Sequence, residues 1–251
     1  MLVLYGIAMG LMYIKQDSLL FLPDSLPSDF VYRKGEEKRI QVEDDISISC
    51  YWNKVPDAKG VILYFHGNKG SIRRCIRQSD MMEGLGYDIF MPDYRGYGKS
   101  EGKRLSDKQF YADAQIVYDF LKDEYGEENI VVVGYSMGSG SATYLAGTNK
   151  PKELFLISPF KSIVDLKNRY APVVPGFLIK FQFPNWKYIE TVTSPISIFY
   201  TKEDRVVLPE STLALCEHST HENLIELANT SHRGAIFHQR WRQEITQRLK
   251  N

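Results

Sequence analysis

The sequence predicts an α/β fold, in which helices flank a mostly parallel central sheet of about eight strands. From Arg39 onward, short runs of β-forming residues alternate with longer amphipathic stretches, which is typical of βαβ units. The run at 61–65 (VILYF) has no polar break, as expected of a parallel strand that is covered on both faces. The chain has 251 residues, 43% of them hydrophobic, which is enough for one large core.

The elements of the first half follow this rhythm in order. Residues 40–52 (IQVEDDISISCYW) alternate apolar and polar side chains around turn signals at 43–45, which predicts an antiparallel edge pair. The buried strand at 61–65 comes next. It is followed by a helix at 72–85, a strand at 87–91, a helix at 107–125 and a strand at 130–133.

The second half continues with a small-residue helix to residue 147 and a strand at 154–157. Residues 159–195 are irregular and rich in aromatic residues, and Pro172, Pro175 and Pro184 disfavour long helices there. We interpret this segment as a candidate lid. The last predicted elements are a strand at 196–200, a helix at 210–217, a strand at 224–228 and a basic closing helix from Ala235.

The N-terminus is apolar. Residues 1–14 (MLVLYGIAMGLMYI) carry no charge, and Lys15 follows at once. A helix that spans a bilayer needs about 20 apolar residues, so this run is short for a span. We therefore expect residues 1–22 to be an N-terminal anchor or a helix packed on the domain, and residues 23–251 to form a single domain. The anchor predicts membrane association, on a side that the sequence does not fix; the alternative is a cytoplasmic protein.

The charge balance and the cysteines limit the classes of partner. The chain has 31 basic and 31 acidic residues, so no bulk charge favours nucleic acid as a partner. Cys50, Cys75 and Cys216 lie far apart without a CxxC pair, which indicates neither a metal site nor a disulfide framework. We expect three ordinary thiols and no metal.

The strongest chemical signal is the segment GYSMG at 134–138, which lies between an apolar strand and a small-residue helix. A tight turn from strand to helix exposes the hydroxyl of its central serine, and glycines on either side prevent collisions. Ser136 is therefore the candidate nucleophile. The backbone N–H of Met137 is a candidate donor to the oxyanion.

A nucleophilic serine needs a base from elsewhere in the chain, and five histidines compete for this role. His232 is favoured because it lies between the last predicted strand and the last helix, where a loop can reach the sheet edge. His238 falls inside that helix. His218 and His221 lie between a helix and a strand and are interpreted as solvated polar residues. Their spacing could bind a metal, but no third ligand is evident. His66 ends a buried strand and is expected to be structural.

Two further groups complete the predicted site. Asp204 lies four residues after the strand at 196–200, where an acid can orient the imidazole, and the chain order becomes Ser, Asp, His. Glu203 is its only close rival. The loop HGNKG at 66–70 follows the buried strand, and we assign the backbone N–H of Asn68 as the second oxyanion donor.

These residues resemble the α/β-hydrolase superfamily and, within it, the Bem46-like group with its ABHD13 and ABHD17 types. The matching segments are QDSLLFLP, LYFHGN, MPDYRGYGKSEG, VVVGYSMGS, KEDRVVLP and SHRG. The resemblance implies the α/β-hydrolase fold and an N-terminally anchored serine hydrolase that acts on esters or thioesters without a metal or organic cofactor. It also implies that Asp93 is a structural acid.

The leading hypothesis is a hydrolase that cleaves carboxylic ester or thioester bonds of small-molecule or lipid-like acyl substrates through an acyl-enzyme on Ser136. Phe177, Phe181 and Trp186 are expected to line its acyl pocket. Two alternatives stay open. The first is a serine aminopeptidase-like peptidase, which an acidic cluster for a free amino terminus would favour. The second is a binding protein that keeps the α/β-hydrolase fold without turnover.

Overall fold

The computed structural model describes residues 1–220 and 222–250. The strands in these residues are β1 (Leu22–Pro23), β2 (Glu36–Glu43), β3 (Ile46–Asn53), β4 (Val61–Phe65), β5 (Lys69–Gly70), β6 (Asp88–Pro92), β7 (Ile130–Tyr135), β8 (Glu153–Ile157), β9 (Ile196–Tyr200) and β10 (Glu222–Glu226). The helices are α1 (Leu2–Leu20), α2 (Ile72–Ser79), α3 (Asp107–Tyr125), α4 (Ser139–Thr148), α5 (Ile163–Tyr170), α6 (Asn185–Ile189), α7 (Pro209–Cys216), α8 (His232–Ala235) and α9 (Gln239–Arg248).

The central sheet has eight strands in the order β10-β9-β8-β7-β4-β6-β3-β2. The β2–β3 and β3–β6 pairs are antiparallel, and the remaining pairs are parallel. The α/β fold predicted from the sequence, including the antiparallel edge pair, is thereby confirmed. The short strands β1 and β5 form a separate parallel pair that joins the end of α1 to the loop after β4.

The core lies on both faces of the sheet, which explains the unbroken apolar run of β4. Val61, Leu63 and Phe65 belong to one buried cluster, whereas Ile62 and Tyr64 belong to the cluster on the other face. Successive side chains of a strand point to opposite faces, so both sets of positions have to be apolar.

Two predicted helix boundaries are wrong. The helix expected at 72–85 ends at Ser79, and residues 80–86 form turns in which Gly84 and Gly86 both have a φ of +78°. The closing helix expected from Ala235 is interrupted: α8 ends at Ala235, and α9 begins at Gln239. His238 caps α9, because its side chain accepts a hydrogen bond from the Arg240 N–H at 3.1 Å.

The segment 159–195 contains α5, α6 and a 3₁₀ turn at Gly176–Leu178, so the expectation of short helices is confirmed. α1 packs against this segment. The Gln16 side chain donates to the Leu178 carbonyl at 2.6 Å and accepts from the Lys180 N–H at 2.8 Å. No helix in residues 1–220 and 222–250 combines the length and the apolar character needed to cross a bilayer.

Candidate active site

Ser136 occupies a sharp turn at the end of β7, in the middle of the sheet. Its φ is +51°, in the left-handed region, and the turn leads directly into α4. The flanking glycines make this turn possible. A Cβ on Gly134 would lie 2.6 Å from the Ala142 Cβ, and a Cβ on Gly138 would lie 2.1 Å from the Phe65 carbonyl oxygen. The Gly-x-Ser-x-Gly spacing is thus required by close packing on both sides.

The predicted base and acid lie beside this serine. Ser136 Oγ is 3.0 Å from His232 Nε2, and His232 Nδ1 is 2.7 Å from Asp204 Oδ2. These distances fit a serine hydroxyl that donates to the imidazole and an Nδ1–H that donates to the carboxylate. The three residues follow β7, β9 and β10 in the chain, and the carboxyl ends of these parallel strands lie at one edge of the sheet.

Asp204 is held in place by its own loop. Its second oxygen, Oδ1, accepts the backbone N–H groups of Val206 at 2.9 Å and Val207 at 2.8 Å. The loop is also tied to the histidine loop, since the Thr201 hydroxyl donates to the Thr230 carbonyl at 2.7 Å. The carboxylate therefore has one oxygen fixed by backbone and the other directed at His232.

Tyr135, for which no role is predicted from the sequence, also contacts His232. Its hydroxyl donates to the His232 carbonyl at 3.0 Å, and its ring stacks on the imidazole with 5.4 Å between centroids. Burial raises the pKa of the Tyr135 phenol, so this hydroxyl stays protonated. Its place next to Ser136 in the GYSMG segment is the one feature of the sequence that could have indicated this role.

The two predicted oxyanion donors, Asn68 and Met137, border the same cavity as Ser136. The loop of Asn68 is braced on both sides. Its carbonyl accepts the Tyr97 hydroxyl at 2.7 Å, and its side-chain amide donates to the Leu20 carbonyl at 2.8 Å. The first of these contacts fixes the backbone at Asn68, and the second joins this loop to the end of α1.

His66 and Asp93 form a buried pair beneath this loop, as expected of structural residues. His66 Nε2 is 3.2 Å from Asp93 Oδ1, which also accepts the Ile72 N–H at 2.9 Å. Burial raises the pKa of the Asp93 carboxyl. The pair connects β4, the loop after β6 and the start of α2, so it supports the site without touching Ser136.

A cavity of about 350 Å³ opens beside Ser136. Its wall is mostly apolar and comes from α1, the segment 159–195 and the loop after Asp204. The lining side chains that lack a polar group are Met12, Leu19, Leu20, Phe21, Met137, Phe160, Ile163, Leu166, Ala171, Val174, Ile179, Phe183, Val206 and Val207. This volume falls within the range of about 300–1,000 Å³ that is usual for small-molecule sites.

Three polar side chains in the wall form hydrogen bonds to the protein backbone. Both ends of the Gln16 amide bond to the segment 159–195, as described above. The Lys167 ammonium donates to the Val174 carbonyl at 2.7 Å. The Tyr170 hydroxyl lies 3.1 Å from the carbonyl oxygens at 205 and 206. Away from Ser136 and Asn68, the cavity therefore presents mainly carbon.

The aromatic residues expected in the acyl pocket lie elsewhere. Phe177 is 82% exposed on the 3₁₀ turn, and Phe181 is buried against the Phe21 ring at 4.8 Å between centroids. Trp186 packs on His218 at 5.4 Å. Irregular backbone directs successive side chains without a fixed period, so the aromatic content of the segment did not reveal which residues face the cavity.

His218 and His238 lie apart from the site. His218 Nδ1 is 2.7 Å from Glu190 on the surface, and His238 caps α9. His221 lies outside the described residues. Within residues 1–220 and 222–250, no group of three or more His, Cys, Asp and Glu side chains has an arrangement suited to a metal ion. The three cysteines are buried and unbridged.

Comparisons with known proteins agree with this architecture. Residues 56–188 match the Hydrolase_4 family, described as serine aminopeptidase, S33. The chain is 31% identical over 221 residues to α/β hydrolase domain-containing protein 17B of Xenopus tropicalis, which covers 81% of this chain and 73% of that protein. It is 28% identical over 209 residues to the lysophosphatidylserine lipase ABHD12 of Xenopus tropicalis, covering 67% of this chain.

The chain spans 54% of the length of that lipase, about half. Among solved structures, an esterase from Pyrococcus furiosus superimposes with a TM-score of 0.72 at 19% identity, over 92% of this chain and 97% of that one. The likeness to the esterase concerns the fold alone. The family match and the 31% identical relative show that this chain belongs to the Hydrolase_4 family of α/β hydrolases.

Proposed function

We propose that this protein is a serine esterase or thioesterase that hydrolyses acyl-chain substrates through an acyl-enzyme on Ser136. The observation that carries the proposal is the apolar cavity that begins at the Ser136 hydroxyl. A carbonyl bound there has a nucleophile on one side and carbon-lined space beyond it, which suits an acyl chain.

The geometry supports the following steps. His232 takes the proton of Ser136 as the hydroxyl attacks the carbonyl carbon, and Asp204 stabilises the resulting imidazolium. The N–H groups of Asn68 and Met137 stabilise the oxyanion. His232 then protonates the leaving alcohol or thiol. Water, activated by the same imidazole, attacks the acyl-enzyme and releases the acid and free Ser136.

Labelling with a fluorophosphonate probe tests the nucleophile. We expect the wild type to be labelled, and Ser136→Ala and His232→Ala to lose labelling. Hydrolysis of p-nitrophenyl butyrate should fall by at least about 10⁴-fold in both variants. Ser18→Ala and His218→Ala, which change an exposed serine and a surface histidine, are the matched controls and should behave as the wild type. An unlabelled wild type would refute the proposal and leave the binding-protein hypothesis.

A peptidase is the alternative enzyme, since the description of the matching family is serine aminopeptidase. An aminopeptidase needs a carboxylate to bind the free amino terminus. The described residues that line the cavity include no Asp or Glu. We therefore expect kcat/KM for amino-acid p-nitroanilides to be far below that for p-nitrophenyl esters, and the reverse preference would favour the peptidase.

We also propose that residues 1–14 associate with a membrane surface. One face of α1 carries an exposed apolar stripe of Leu4, Ile7, Leu11 and Ile14, a pattern that suits an interfacial helix.

In a flotation assay with vesicles of phosphatidylcholine and phosphatidylglycerol, we expect the wild type to float. The triple variant Leu4→Gln, Ile7→Gln, Ile14→Gln should remain at the bottom, whereas Val31→Gln, at an exposed apolar site elsewhere, should float. Wild-type protein that stays at the bottom would favour the cytoplasmic alternative.

A further inference from the structure

We infer that α1 limits the length of acyl chain that the enzyme accepts, with Met12 as the residue that sets the limit. This inference rests on the proposed function, because it concerns the cavity that would hold the acyl chain. It adds a specificity-determining role for a helix that is remote from the Gly-x-Ser-x-Gly turn in the sequence.

One face of the second half of α1 forms a wall of the cavity. The lining residues Met12, Gln16, Leu19 and Leu20 follow the i, i+4, i+7, i+8 spacing of a single helix face. The exposed residues Leu4, Ile7, Leu11 and Ile14 lie on a different face, since helical positions advance by 3.6 residues per turn. The wall and the exposed stripe therefore use separate side chains.

This wall is held in position at several points. Gln16 is buried, and its amide makes the two hydrogen bonds to residues 178 and 180. The Asp17 carboxylate binds the Arg104 guanidinium through two hydrogen bonds of 2.7 and 2.9 Å. A wall held by such contacts can exclude atoms instead of yielding to them.

The direction of the cavity follows from the two ends of this face. Leu20 is at the reactive end, because its carbonyl accepts the side-chain amide of Asn68, the proposed oxyanion donor. Met12 lies eight residues earlier, or about 12 Å along the helix axis. An extended chain advances by roughly 1.2 Å per bond, so about ten bonds separate the two positions.

On α1, the lining of the cavity ends at Met12. Tyr5 lies about two helical turns farther along the same side of α1. Its hydroxyl donates to the Val173 carbonyl at 2.7 Å, which joins α1 to the segment 159–195. This contact lies past the distal end of the lining, and Met12 is the last lining residue of α1 before it.

The experiment compares Met12→Trp and Met12→Ala with Val31→Trp, which places the same bulky side chain at an exposed position outside both the cavity lining and the exposed stripe of α1. For each variant, kcat/KM is measured for the p-nitrophenyl esters of butyrate, octanoate, dodecanoate and hexadecanoate. Each methylene kept out of the cavity should cost about fourfold. We therefore expect Met12→Trp to lower the dodecanoate-to-butyrate ratio by at least tenfold.

The smaller side chain should act in the opposite direction. Met12→Ala is expected to raise the hexadecanoate-to-octanoate ratio, and it remains informative if the bulky Trp disturbs folding. Val31→Trp should leave both ratios within twofold of the wild type. Unchanged ratios in both Met12 variants, or an equal change in Val31→Trp, would overturn the inference.

A binding measurement separates this inference from the proposed function. Sodium octanoate and sodium dodecanoate are titrated by calorimetry into Ser136→Ala, with and without Met12→Trp. We expect the Trp substitution to weaken dodecanoate binding at least tenfold more than octanoate binding. An enzyme that hydrolyses no ester but shows this difference would refute the hydrolase and keep the limit at Met12. Equal weakening of the two fatty acids would refute the limit.

Discussion

At the scale of single residues, the site depends on Tyr135 as well as on the three predicted residues. Tyr135 is adjacent to Ser136 in the chain, yet its hydroxyl binds the backbone of His232, 97 positions later. The turn that exposes the nucleophile therefore also holds the base. Positioning of this kind matters because a small displacement of the imidazole lengthens its hydrogen bond to Ser136.

Tyr135→Phe should lower kcat for p-nitrophenyl butyrate by about fivefold, the equivalent of one hydrogen bond worth about 1 kcal/mol. KM should change little, because the lost hydroxyl bonds to the base and not to the cavity. Tyr118→Phe is the control, since it removes a hydroxyl that lies 3.3 Å from Glu127, far from the site. An unchanged kcat in Tyr135→Phe would show that the hydroxyl does not position His232.

The positions of Ser136, Asp204 and His232 could be predicted because each follows a strand. In a parallel sheet the carboxyl ends of neighbouring strands meet at one edge, so chain order alone brings these loops together. The pocket residues could not be predicted in this way. Phe177 and Phe181 are only four positions apart, but one is exposed and the other is buried in the core.

At the scale of elements, α1 is the part of the molecule that the sequence described least well. The sequence predicts an anchor or a packed helix for residues 1–22, and the uniform apolar run at 1–14 does not indicate which face contacts the domain. Both faces of α1 are apolar, so no amphipathic period is visible. The polar residues Gln16 and Asp17, at the end of the run, make the contacts that fix it.

Gln16→Ala should loosen the contact between α1 and the segment 159–195. The Lys180 N–H loses its acceptor, so its hydrogen exchange should accelerate at least roughly fivefold. Gln115→Ala is the control. It removes a side-chain amide of α3 that donates to Asp119, in the same helix, and to Asn149, and it should leave the exchange rate of the Lys180 N–H unchanged. Equal exchange in Gln16→Ala and the wild type would mean that the amide does not hold the two elements together.

At the scale of the whole molecule, the C-terminal helix is tied to the central sheet by an ion pair. The Arg248 guanidinium in α9 bonds to the carboxylate of Glu153, the first residue of β8. Burial raises the pKa of Glu153, and Arg248 opposes that effect. The charged form of Glu153 is therefore costly in the folded protein without its partner.

Arg248→Ala should lower stability in a pH-dependent way. A carboxyl whose pKa is raised on folding destabilises the protein as pH rises through that pKa, and loss of Arg248 strengthens this effect. At pH 7 we expect a loss of about 1–2 kcal/mol, or roughly 3–6 °C in Tm. At pH 4, where Glu153 is protonated, the loss should be smaller.

Thermal unfolding at the two pH values measures this difference, with Arg240→Ala, at an exposed position of the same helix, as the control. A loss in Arg248→Ala that is equal at both pH values would show that the unpaired charge of Glu153 is not its cause.

The alternation of strands and helices predicted the sheet, because a buried parallel strand needs apolar residues at every position. Helix ends could be predicted less well, since α2 ends at Ser79 although apolar residues continue to Leu85. The contribution of α1 to the cavity wall could not be predicted from local sequence patterns. It depends on contacts between residues that are far apart in the chain.

That separation has a consequence for how the molecule is made. Gln16 is synthesised before its hydrogen-bond partners, which lie 162 and 164 positions later in the chain. Closing a loop between residues so far apart in the chain has an entropic cost, so we expect these contacts to form late in folding. On a ribosome, α1 emerges long before the backbone that it will bind. We therefore expect the nascent chain to carry an apolar, undocked helix until most of the sheet has been translated.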